Sequence, residues 1–105
     1  MDETAIAYRV YMEDCTADNG VTSRGWITNW MSENDIEGYT VTLADGVYEG
    51  VMEESIIVEI IVNLGPTHST TREKIMRFAH EYRVAWRQDC VLVTTTVIST
   101  ILVNS

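Results

Sequence analysis

The sequence predicts one α+β domain, a mainly antiparallel sheet with two helices on one face. Three observations predict it. Short stretches of alternating apolar and polar residues recur along the chain. Two longer segments between them carry apolar residues at helical spacing. The whole is 105 residues, 46% hydrophobic, enough for one core and too short for two, so residues 1–105 are read as a single domain.

The elements follow in order. Ala5 to Met12 alternates, with Ile6, Tyr8, Val10 and Met12 on one face, and predicts a strand. Glu13 to Gly20 is polar, and Asn19-Gly20 marks a turn. Ser23 is placed to cap a helix carrying Trp26, Ile27, Trp30 and Met31, which Gly38 ends. Tyr39, Val41 and Leu43 alternate again. Asp45-Gly46 reads as a hairpin turn into Val47–Met52. After Glu53-Glu54-Ser55, the run Ile56 to Val62 reads as a strand covered on both faces. Gly65-Pro66 ends it. Thr70 and Glu73 form a capping box for the second helix, whose stripe is Ile75, Phe78 or Ala79, Tyr82 and Trp86. Cys90 to Val97 is a last strand that Ser99 to Val103 extends or follows. Counted segment by segment the order is β-α-β-β-β-α-β; with the Asp45-Gly46 hairpin counted as one split strand it is β-α-β-β-α-β, the ferredoxin-like arrangement. Its open sheet face predicts oligomerisation.

Seven Lys and Arg stand against 16 Asp and Glu, a net charge of −9. That balance repels nucleic acid and anionic membrane and suits cationic ligands. From Gly25 to Thr71 there are eight acids and no Lys or Arg, and five bases fall between Arg72 and Arg87. Two solvated faces of opposite sign, or an acidic mouth for a cation, both fit. Cys15 and Cys90 form no CxxC pair, and neither His68 nor His80 has a second ligand at metal spacing. No secretion signal or apolar span is visible, which predicts a soluble cytoplasmic protein.

Glu59 is the anomaly. Three apolar residues flank it on each side. A carboxylate in such a run needs a base, a ligand, a proton or an edge facing water. Arg77 and Arg83 of the second helix are candidate partners. Tyr48 lies eleven residues earlier, one strand away. Glu53 and Glu54 read as surface loop acids, Cys90 as core, and Gln88-Asp89 as a helix exit that offers polar groups at a strand start.

The run Gln88-Asp89-Cys90-Val91-Leu92-Val93 after an aromatic helix resembles the phage-encoded S-adenosylmethionine (SAM) lyases, formerly called SAM hydrolases. Tyr48 and Glu59, around the stretch Gly50-x-x-x-Glu54-Ser55, resemble their active-site pair. The resemblance covers Tyr39 to Val93. It implies a PII-like α/β sandwich, assembled as a homotrimer with sites between subunits. It implies cleavage of SAM to 5′-methylthioadenosine and homoserine lactone, with no metal or organic cofactor. In a phage that reaction serves counter-defence against restriction and modification. Tyr48 and Glu59 would be the catalytic pair, with Glu54, Ser55, Gln88 and Asp89 receiving the substrate. Two other classes also fit the sequence: a trimeric PII-like nucleotide-binding regulator, and an acidic DNA-mimic anti-restriction protein.

Overall fold

The computed structural model describes residues 2–103. Met1, part of the acidic start, lies outside the described residues. The elements are β1 (Glu3–Glu13), α1 (Ser23–Glu33), β2 (Thr40–Tyr48), β3 (Val51–Asn63), α2 (His68–Ala85) and β4 (Leu92–Thr100). They form one sheet of order β2-β3-β1-β4, with every neighbouring pair antiparallel. The ferredoxin-like order read from the sequence is the observed one.

The core lies between the helices and one sheet face. Tyr8, Val10 and Met12 of β1 and Ile56, Val58, Ile60 and Val62 of β3 point into it. Ile27, Trp30 and Met31 of α1 and Ile75, Phe78, Ala79 and Tyr82 of α2 close it from above. Each large side chain buried here contributes about 1.5–3 kcal/mol. The aromatic rings stack obliquely, with Trp30 and Phe78 5.1 Å apart and Trp26 edge-on to Tyr82 at 5.6 Å.

Four local expectations are corrected. Asp45-Gly46 lies inside β2, and the reversal falls at Glu49-Gly50, where both residues have positive φ (49° and 79°). Two consecutive left-handed residues match the right-handed strand twist. Thr22, one residue earlier than expected, caps α1 by accepting from the Gly25 amide at 3.1 Å. Ser23 is fully buried and serves the preceding loop: its hydroxyl accepts from the Cys15 amide and donates to Asp14. Helix α2 begins at His68, so Thr70 and Glu73 lie within it and make no capping box. Its N-cap is Thr67, without a side-chain bond.

The fourth correction concerns β3. Its residues alternate between buried and partly exposed, so only the helix-facing side is covered within the chain. Ile57, Glu59 and Ile61 stand on the other side, and Ile61 is half exposed. A continuous apolar run suggested burial on both faces, but both helices cross one face only.

Candidate functional site

Three of the four strand residues singled out from sequence, Tyr48, Ser55 and Glu59, stand on the open face. Pairing in β2–β3 sets Tyr48 opposite Val51, Gly46 opposite Glu53, Ala44 opposite Ser55 and Thr40 opposite Glu59. Tyr48, Glu53, Ser55 and Glu59 therefore share this face, and Glu54 points to the other. At one end of the sheet a cleft of about 290 Å³ is lined by Tyr11, Glu13, Gly46, Tyr48, Glu53, Ser55, Gln88, Asp89, Cys90 and neighbours. Four of the six residues singled out from sequence, Tyr48, Ser55, Gln88 and Asp89, meet there.

Gly46 and Ser55 form its floor. A Cβ on Gly46 would lie 2.7 Å from the Ser55 Oγ, so the strand accepts only glycine without movement. Gln88 reaches the cleft because Arg87, at the helix exit, takes a positive φ of 51° and turns the chain back. The Gln88 Oε1 accepts from the Glu13 amide at 3.1 Å, and its Nε2 donates to the Glu13 carboxylate at 3.4 Å and to the Cys15 Sγ at 3.5 Å. Gln88 thus latches the exit of α2 to the end of β1.

The cleft wall is acidic, with Glu13, Glu53 and Asp89 and no Lys or Arg among its lining residues. Glu53 reads from the sequence as a surface loop acid, with no local signal that sets it apart. It lies within β3, where strand alternation turns it to the cleft. Cys90, expected in the core, is exposed and lines the same cleft. Its thiol beside the Tyr48 hydroxyl raises the phenol pKa, helped by the charges of Glu49 and Asp89. Tyr48 therefore stays protonated, a hydrogen-bond donor, at neutral pH. Burial raises the Cys15 thiol, with Glu13 adding to the effect.

Two residues lie outside this cleft. Glu54 borders a separate shallow pocket with Asp14 and Arg24. Glu59 is eight rungs from Tyr48 along the hairpin but only four residues beyond Ser55, about 13 Å of strand. Its partner is neither Arg77 nor Arg83. Arg77 pairs with Glu81 at 3.5 Å, and Arg83 donates to the Asp89 carbonyl. Arg9, directly across the ladder on β1, donates Nε to the Glu59 Oε2 at 2.6 Å. Sequence spacing cannot show a cross-strand neighbour fifty residues away.

No protein-family model matches the sequence, and no curated protein matches it significantly. Solved structures do match the fold. A phage SAM lyase in complex with S-methyl-5′-thioadenosine superposes with a TM-score of 0.65 at 17% identity, over 93% of this chain and 90% of the other. The fold is similar to that of a phage SAM lyase. The SAM lyase in its apo state gives a TM-score of 0.65 at 18% identity, over 92% and 89% of the two chains. CPII, a nitrogen regulatory PII-like protein from Thiomonas intermedia K12 bound to ADP, AMP and bicarbonate, gives 0.60 at 11% identity, over 99% and 100%. The α+β, ferredoxin-like and PII-like fold read from the sequence is thus the fold of the structure. No helix among the described residues is long and apolar enough to cross a membrane.

Proposed function

We propose that this protein is a SAM lyase, cleaving SAM to 5′-methylthioadenosine and homoserine lactone. One observation carries the reading: Tyr48, Ser55, Gln88 and Asp89 converge on one acidic cleft, with Glu59 farther along the same open face, in a fold shared with a SAM lyase. The cleft receives the adenosine, the sulfonium lies against its carboxylates and tyrosines, and the methionine tail runs along the face to Glu59.

The substrate holds its own nucleophile and leaving group. A carboxylate oxygen of the tail bonds to its γ-carbon, the carbon–sulfur bond breaks, and the electron pair passes to sulfur. A neutral thioether and a five-membered lactone result. The protein folds the tail into a near-attack geometry, a contribution of up to about 7–11 kcal/mol in well-oriented intramolecular reactions. Glu59 holds the ammonium, and the protonated Tyr48 donates a hydrogen bond to the bound substrate.

The cleft of one chain, about 290 Å³, is at the lower end of small-molecule sites. The open face beside it leaves Leu92 and Ile61 exposed. Both features support a homotrimer in which a neighbouring copy covers the face and completes the site. In a phage-infected cell the reaction deprives restriction and modification enzymes of their methyl donor, within the host cytoplasm. The likeness to CPII supports a second reading, a nucleotide-binding regulator, which would bind ADP or AMP at the cleft and leave SAM intact.

The test is incubation with SAM followed by chromatography. The lyase yields methylthioadenosine with lactone ahead of homoserine. Homoserine without a lactone phase, carrying heavy oxygen on its γ-hydroxyl from labelled water, would show hydrolysis, with Glu59 as base. Unchanged SAM favours the regulator.

A further inference from the structure

We infer that Arg9 and Glu59 together form a receptor for a zwitterion, in which Arg9 binds the α-carboxylate of the substrate while Glu59 binds its ammonium. This rests on the role of Glu59 proposed above and extends it to a residue that no sequence motif marks.

Arg9 is the only Lys or Arg in the four strands. It stands on β1, a central strand, and its rung across the sheet is Thr40, Glu59, Arg9, Thr94. The two charges thus sit side by side between uncharged neighbours, fixed to the two inner strands. Their bond uses Nε of Arg9 and Oε2 of Glu59. The Nη fork of Arg9 and Oε1 of Glu59 lie outside that bond. A guanidinium fork matches a carboxylate bidentately through one lone pair on each oxygen, which leaves a second lone pair to attack the γ-carbon, and a carboxylate oxygen accepts from an ammonium. An α-amino acid presents those two groups on one carbon, at the spacing of an adjacent ion pair.

The pair also lies where a tail would reach. Tyr11, the next residue of β1 on the same face, lines the cleft. A nucleoside seated over Ser55 and Gly46 would send its side chain past Tyr11 to Arg9. A surface ion pair of this exposure adds little to stability, so its remaining donor and acceptor atoms are available to a ligand.

Calorimetry with three uncleaved ligands separates the roles: S-adenosylhomocysteine, its decarboxylated amine, and methylthioadenosine. On the wild type, S-adenosylhomocysteine should bind at least tenfold more tightly than the amine, a comparison that needs no variant. Arg9→Met should weaken S-adenosylhomocysteine at least tenfold and leave the amine and methylthioadenosine within threefold. Arg9→Lys, which keeps charge but lacks the fork, should fall between. Equal weakening of both tailed ligands by Arg9→Met would make Arg9 only a support for Glu59 and overturn the inference alone, as would equal wild-type affinity for the two. Glu59→Gln with unchanged affinity for the amine would overturn the inference and the proposed role of Glu59 together.

Discussion

At the scale of single residues, Glu59 carries the largest expected effect. Glu59→Gln keeps the side chain's shape and removes its charge. It should fold as the wild type and lose turnover of SAM by about a hundredfold or more, since charge-assisted contacts are worth about twice neutral ones. Steady-state assays on a variant with unchanged circular dichroism check it. Tyr48→Phe removes one hydroxyl and should cost about tenfold. The phenol also gives a spectroscopic test. With the Cys90 thiol as the largest cause of its raised pKa, Cys90→Ala should move the Tyr48 titration back toward its ordinary value, as read by ultraviolet absorbance.

The elements place these residues, and their turns and caps are open to mutation. Glu49 holds a left-handed φ in the β2–β3 turn that asparagine tolerates better than glutamate. Glu49→Asn should raise stability by a few tenths of a kcal/mol, and Gly50→Ala should lower it by about 1 kcal/mol. Denaturant midpoints measure both. At the start of α1, Thr22→Ala should cost about 1 kcal/mol for the lost cap. Ser23→Ala should cost more, because its buried hydroxyl also serves the Cys15 amide and Asp14. Matching losses for the two variants would contradict this division of labour. The Asp45-Gly46 pair shows how an element misleads: the dipeptide has turn composition, yet both residues pair within β2, where a Cβ on Gly46 would have to displace the Ser55 hydroxyl.

For the whole molecule, the open face and the small cleft predict a homotrimer at micromolar concentration. Light scattering that reports a monomer would remove the shared site. Stability should also fall at alkaline pH. Burial raises the Tyr82 phenol above its ordinary value near 10, while its hydroxyl donates to the Glu13 carbonyl at 2.5 Å. The folded state then holds this proton more tightly than the unfolded state. Its contribution is fully present below about pH 10 and is lost as pH rises toward the folded value. Tyr82→Phe should be less stable at neutral pH, by about 1 kcal/mol for the lost hydrogen bond, and should show a flatter alkaline limb in urea midpoints.

The fold class and the helix faces are legible in the residues alone, because alternation and helical spacing are local consequences of which side of each segment meets the core. The same local patterns mark Glu59 as anomalous and Gln88-Asp89 as a polar pair at a strand start. Which strand side chains share a face across the sheet, and which neighbour each one meets, follows from strand pairing. Register alone turns Glu53 into the cleft and Glu54 out of it, since one residue along a strand reverses the side chain. Register also brings Arg9 against Glu59 across fifty residues of chain. No local pattern encodes such a pairing, because it depends on how two distant strands align once the core between sheet and helices has formed.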